Sequence, residues 1–153
     1  MSYEWLLMGH VTAAVLWVGG SIGLILMALR LRHAGSGEQV GDYAKNLEWF
    51  GKFYFTPLSL LALLFGILLV QNMDNVAVTD FFIQYGLTAI VITIAVGAGF
   101  LGPQSGKLGK LIEAKGAEAP EVQTLTNRIL LVARFDALML LSVVVVMALK
   151  PFS

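Results

Sequence analysis

The sequence predicts an all-α membrane protein in which four transmembrane helices form one bundle. Hydrophobic residues make up 58% of the 153-residue chain and charged residues only 13%, and the mean hydropathy is +0.80. Four apolar runs are long enough to cross the hydrocarbon core of a bilayer, which needs roughly 20 residues per helix. No repeat or change of composition divides the chain, so we expect a single domain over residues 1–153.

The apolar runs place the transmembrane helices at about residues 5–29, 54–71, 81–101 and 129–149. The first run differs from a cleaved signal peptide because it is too long, follows the acidic Glu4 and ends in Arg30 and Arg32 without a small-residue cleavage pattern. We therefore retain it as transmembrane helix 1.

The polar segments that follow helices 1 and 3 are also expected to contain helical structure. Helix 2 should begin before the membrane, near Gly41, because the preceding loop becomes amphipathic there. A short helix is expected over 107–115, and Pro120 suits the first turn of an extension of helix 4.

Basic residues predict the orientation of the bundle, because cytoplasmic loops of membrane proteins are enriched in them. The connection between helices 2 and 3 contains none. We therefore expect both termini outside (N-out/C-out) in a multi-pass protein of a bacterial inner (plasma) membrane. Lys150 is the one exception, and its side chain can reach the outer headgroups. Eight of the ten basic residues lie in the other two segments and at their borders: Arg30, Arg32, Lys45, Lys52, Lys107, Lys110, Lys115 and Arg128.

Several functions are excluded by composition. A formal net charge of zero gives no electrostatic footprint for nucleic acid, and the chain has no glycine-rich phosphate loop or nucleophile elbow. The absence of cysteine excludes disulfides and thiolate metal sites. The expected partner is the lipid bilayer.

His10 is the candidate binding residue, since it is the only histidine in a membrane-length run and polar groups are costly there. Helical phase places His10, Trp17 and Ser21 on one stripe that faces the bundle, with Gly19 and Gly23 on the opposite side. Those two glycines suit either close packing inside the bundle or a homodimer. Neighbours of His10 expected at its depth are Gln84, Tyr85 and Gln71 as hydrogen-bond partners and Met147 as a second ligand.

Helix 4 carries two charges inside the membrane, Arg134 and Asp136. They point about 200° apart on one helix and therefore need partners elsewhere. We predict the pairs Arg134 with Glu48 and Asp136 with Lys52, which would lock helices 2 and 4 together. A role in binding an anionic ligand or relaying protons is the alternative.

The stretch YEWLLMGHVTAAVLWVGGSIGLILMALRLRH resembles helix 1 of a superfamily of membrane proteins. The superfamily includes the oxygen-independent protoporphyrinogen oxidases, the copper-resistance D proteins and a family of small predicted integral membrane proteins of unknown function. Helix 2 and the C-terminus are also similar, so the resemblance covers about two thirds of the chain. Helix 3 lacks the lysine and Tyr-His patterns of the oxidases, which makes the small-protein family the better match. The residues that carry the resemblance are His10, Trp17, Gly19, Gly20, Arg30, His33, Tyr54, Pro57, Gly66, Lys150, Pro151 and Phe152.

The resemblance implies that His10 binds haem b, in a redox or porphyrin-related role. Trp17, Ala13 and Ala14 would line the porphyrin, and Lys150 lies at the right depth for its propionates. Whether the protein is an enzyme stays open. One alternative is copper or other metal handling by His10 with Met8 and Met147, and another is a structural or assembly subunit without chemistry.

Overall fold

The computed structural model describes residues 2–150, and this part of the chain is helical throughout, apart from short connections, with no β-strand. Pro151 and Phe152, which contribute to the resemblance, lie outside the described residues. Six α-helices and two short π-helical segments follow one another. They are α1 (Tyr3–Ala34), α2 (Gly37–Phe50), π-segment A (Gly51–Phe55), α3 (Thr56–Gln71), α4 (Phe81–Val96), π-segment B (Gly97–Leu101), α5 (Gly102–Lys115) and α6 (Pro120–Leu149).

These elements form four long helices, because each π-segment joins two α-helices without a break. Two of the four, Gly37–Gln71 and Phe81–Lys115, each contain 35 residues. All four are long and apolar enough to cross a membrane. The predicted all-α class and four-helix architecture are confirmed.

The predicted polar extensions are present, although α2 begins four residues before the expected Gly41. Helix α2 begins at Gly37, where Ser36 and Gln39 form a capping box that satisfies two of its terminal N–H groups. Pro120 occupies the first turn of α6, where its missing N–H costs no hydrogen bond. The helix expected over 107–115 is longer than predicted, since α5 continues directly from the third long helix.

A proline follows each π-segment. Pro57 and Pro103 lack the N–H that would bond to the carbonyl four residues earlier, and in a regular α-helix their rings would clash with it. The wider π turn relieves this conflict without ending the helix. Pro57 and Pro103 therefore mark the two places where the long helices change from π-helical back to α-helical turns.

The helices pack in pairs, with α1 along α3, α4 along α6 and α2 along α5. Ala13, Trp17, Ala62 and Leu140 form a small core within the apolar part of the bundle. A second core joins α2, α5 and the start of α6 at one end, which we call the basic end because it carries the basic segments 30–52 and 102–128. Its buried members are Ala44, Leu108, Val122, Leu125 and Ile129.

Large apolar side chains cover the outside of the bundle. Val15 is 64% exposed, Leu131 69% and Leu138 65%. Water would not stabilise such a surface, and contiguous apolar exposure on long helices is what a bilayer covers. The surface therefore agrees with the hydropathy of the sequence in identifying an integral membrane protein.

Candidate functional site

A cavity of about 800 Å³ lies between the four long helices, in the half of the bundle towards the basic end. Trp17 of α1, Thr93 of α4 and Asp136 of α6 line it near the middle of the apolar region. Lys52, Lys107 and Lys110 line it nearer the basic end, together with Glu48 and Tyr43 of α2. Most of the remaining lining is apolar or glycine, so the cavity combines an apolar wall with a few polar groups.

Asp136 and Thr93 are two polar groups buried in the wall of the cavity. Asp136 is 6% exposed and Thr93 is 3% exposed. Their side chains approach each other between α6 and α4. Yet Oδ1 of Asp136 and Oγ1 of Thr93 make no hydrogen bond within residues 2–150. Buried polar atoms in native proteins almost always have a partner, so this pair requires an explanation.

Both π-segments contribute to the same cavity. Gly51, Lys52 and Phe55 of π-segment A line it, as do Gly97, Ala98 and Leu101 of π-segment B. Single π turns inside α-helices occur frequently at functional sites. Their convergence on one cavity from two different helices supports a role for this cavity beyond packing.

His10 lies in a different place and does not line this cavity. Its Nδ1 is 2.8 Å from the backbone carbonyl oxygen of Ala62 on α3. A carbonyl oxygen can only accept, so Nδ1 donates its hydrogen to Ala62 and Nε2 takes no part in this bond. Gly66 makes room for the ring, because a Cβ at that position would lie 3.1 Å from Cε1 of His10.

The side chains predicted to contact His10 bond elsewhere. The hydroxyl of Tyr85 lies 2.6 Å from the hydroxyl of Ser142, and the Gln84 amide donates to the carbonyl of Val78 at 2.9 Å. Gln71 is exposed at the end of α3. The prediction considered only side chains, whereas the close packing of α1 on α3 brings a backbone carbonyl within reach first.

The methionines proposed as additional ligands are engaged in packing or exposed. The methyl group of Met147 packs against Gly86 of α4, and Met8 is 53% exposed on the outside of the bundle. No group of three or more metal-binding His, Asp or Glu side chains occurs within residues 2–150. Copper binding at His10 therefore stays a prediction.

The two predicted interhelical ion pairs are wrong. Lys52 Nζ pairs with Glu48 Oε1 at 2.6 Å on the same helix, because residues four apart share one helical face. Asp136 faces Thr93 instead of Lys52, and Arg134 is exposed on the outside of α6 with no ion pair in residues 2–150. The charges on α6 therefore do not lock it to α2.

The prediction that the stripe on helix 1 faces the inside of the bundle is confirmed. Trp17 is 5% exposed and faces the cavity, as Ser21 does. Gly19 and Gly23 are on the outside, and a Cβ at either would meet no atom within 4 Å. Close packing of these glycines inside the bundle is thus ruled out within the described chain, and the homodimer stays a prediction.

Sequence reasoning missed Thr93 and the contribution of the two π-segments. A single threonine in an apolar helix carries little signal, because its hydroxyl usually bonds to its own backbone. The signal that was present is the pair of prolines, Pro57 and Pro103, inside segments that are otherwise helical.

Comparison of the chain with known protein families, with curated proteins and with solved structures found no match. The resemblance of helix 1 to the porphyrinogen oxidase superfamily therefore stays a prediction.

Proposed function

We propose that this integral membrane protein binds a small organic molecule in the cavity at the basic end of its bundle. The observation that carries the proposal is the pair of buried polar atoms in that cavity, Asp136 Oδ1 and Thr93 Oγ1, that make no hydrogen bond. Leaving such an atom unpaired costs about 1–3 kcal/mol. A ligand that bonds to both atoms removes this cost in the bound state.

The size and lining of the cavity support the same proposal. Its volume of about 800 Å³ lies within the range of small-molecule sites, which are largely apolar with a few polar groups that orient the ligand. The positive-inside rule places the basic end at the cytoplasmic face. We therefore propose that the molecule enters from the cytoplasm or from the inner leaflet.

Native mass spectrometry of the gently purified protein tests this function. We expect a small molecule to co-purify with the wild type and to be lost from Ala133→Phe, which places a ring inside the cavity. Leu138→Phe, on the outer face of the same helix, serves as the matched control and should retain the molecule. A wild type without any bound molecule, or retention by Ala133→Phe, would contradict the proposal.

We propose haem b binding by His10 as the second candidate function, because the hydrogen bond from Nδ1 to Ala62 leaves Nε2 available as a ligand. Iron-binding histidines commonly donate their other ring N–H to a carbonyl in this way. Bound haem would supply one-electron exchange. The large cavity does not reach His10, so a haem held by Nε2 would occupy a different site from the cavity ligand.

An absorption spectrum of the detergent-purified protein tests the haem candidate. A Soret band is expected in the wild type and in His33→Ala, which alters a histidine at the far end of the same helix. The band should disappear in His10→Ala. A colourless wild type that takes up neither haem nor copper would leave the cavity function as the only candidate. If no molecule occupies the cavity either, the protein would be a structural subunit.

A further inference from the structure

We infer that the molecule bound in the cavity carries an organic ammonium group, held between Asp136 and Thr93 near the middle of the bundle. This inference rests on the ligand-binding function proposed above and names the chemical class of the ligand. Both side chains line the cavity and are more than nine-tenths buried. The unpaired atoms, Oδ1 of Asp136 and Oγ1 of Thr93, lie on two different helices that face each other.

Apart from the Thr93 hydroxyl, which approaches Asp136 and can donate one hydrogen bond to it, the protein supplies little to satisfy these atoms. Hydroxyl groups of the cavity wall donate to backbone carbonyls: Tyr43 to Leu24 at 2.8 Å, Ser21 to Trp17 at 3.0 Å and Ser59 to Thr56 at 2.9 Å. These donors are therefore engaged with the main chain. A ligand that bonds to Oδ1 of Asp136 and to Oγ1 of Thr93 at once has to bring its own hydrogen-bond donors.

No cationic side chain within residues 2–150 forms an ion pair with Asp136. Lys52 is paired with Glu48. Lys107 is exposed and lies fourteen residues after Thr93, about 21 Å further along the helix. Arg134 is two residues from Asp136 but points outward. A carboxylate buried in a low-dielectric interior without a counter-charge is strongly disfavoured.

An ammonium group meets both requirements, because it has a positive charge and several N–H donors. One N–H can donate to Asp136 Oδ1 and another to Thr93 Oγ1, which as a hydroxyl oxygen can accept. A bare metal ion fits less well, since hard cations take six or more oxygen ligands and no cluster of metal-binding side chains exists in residues 2–150. Trp17, Phe55 and the apolar wall can hold an apolar or aromatic body.

Tryptophan fluorescence tests this inference, since Trp17 lines the cavity while Trp5 and Trp49 are 62% and 54% exposed. The full-length chain with Trp5→Phe and Trp49→Phe reports on Trp17 alone. It is titrated in detergent with phenethylammonium and with phenethyl alcohol, its neutral analogue. We expect saturable binding of the ammonium at least about tenfold tighter than of the alcohol, since hydrogen bonds to charged groups are the stronger ones.

Asp136→Asn should remove this preference: it should weaken the binding of phenethylammonium about tenfold or more and leave the binding of phenethyl alcohol unchanged. Thr93→Val should weaken it less, and Asp74→Asn, in the exposed connection after α3, should have no effect. Equal affinity of wild type and Asp136→Asn for the ammonium would overturn the inference.

The two proposals can fail separately. Equal binding of the ammonium and the alcohol by the wild type overturns the ammonium assignment but retains a ligand-binding cavity. No saturable binding of either probe, with Ala133→Phe indistinguishable from wild type, overturns both. If Asp136→Asn does not fold, Thr93→Val and the comparison of the two probes on the wild type still decide the question.

Discussion

The position of the His10 imidazole depends on a single glycine of the neighbouring helix α3. Gly66 leaves the space in which the ring reaches the carbonyl of Ala62, and a Cβ there would lie 3.1 Å from Cε1 and 3.3 Å from Nδ1 of His10. Such contacts are closer than ordinary van der Waals contact, so the ring would have to move away from its acceptor. The hydrogen bond of His10 therefore requires a glycine at position 66.

Gly66→Ala should destabilise the protein by about 1–2 kcal/mol, because it displaces His10 and weakens its hydrogen bond. Gly19→Ala is the matched control, since a Cβ at Gly19 meets no atom within 4 Å. Alanine also favours helix over glycine, so the control should be neutral or slightly stabilising. Unfolding in mixed micelles of increasing SDS content measures both, and equal stabilities would contradict this view of His10.

Helical phase predicted correctly which residues of helix 1 face inward, but not their partners. The direction of His10 and Trp17 follows from 100° per residue along one helix. The acceptor of His10 is a backbone carbonyl on another helix, and its position depends on the packing of α1 against α3. The sequence of a single helix carries no information on that packing. Asp136 was recognised as an intramembrane charge, yet its neighbour Thr93 depends on the packing of α4 against α6.

At the scale of elements, the two π-segments set the shape of the cavity. Each lies at the junction between an apolar helix and an amphipathic extension, and each is followed by a proline within two residues. A π turn accommodates one extra residue while the helix on either side keeps its contacts. The extra residue widens the helix where it lines the cavity.

Removing one residue from π-segment B should be tolerated. Deletion of Gly99 together with Pro103→Ala, which removes the clash of a proline in a regular helix, should restore a continuous α-helix. The same proline substitution combined with deletion of Ile92 should fail to fold, because it rotates one part of α4 by about 100° relative to the other. Size-exclusion chromatography and circular dichroism in detergent distinguish the two. Equal recovery of both deletion variants would show that π-segment B tolerates a deletion no better than the regular helix α4 does, which would contradict this view.

At the scale of the whole molecule, the bundle has two unlike ends. The connection between α3 and α4 is short and contains no basic residue, whereas the opposite end carries the basic segments, a core of its own and a surface ion pair between Lys45 and Glu113 at 3.3 Å. The presence of four membrane-length helices could be predicted, because long apolar runs are enough to indicate them. The cavity could not be predicted, because its volume depends on the distances between four helices at one level of the bundle.

The orientation of the bundle in the membrane can be tested directly, because the chain contains no cysteine. Asn75→Cys places a thiol in the exposed connection after α3, and Glu118→Cys places one in the exposed connection between α5 and α6. If the basic end faces the cytoplasm, as the positive-inside rule predicts, a membrane-impermeant maleimide should label Asn75→Cys in intact cells and Glu118→Cys only after permeabilisation. The reverse pattern would place the mouth of the cavity outside the cell, and its ligand would then have to come from there.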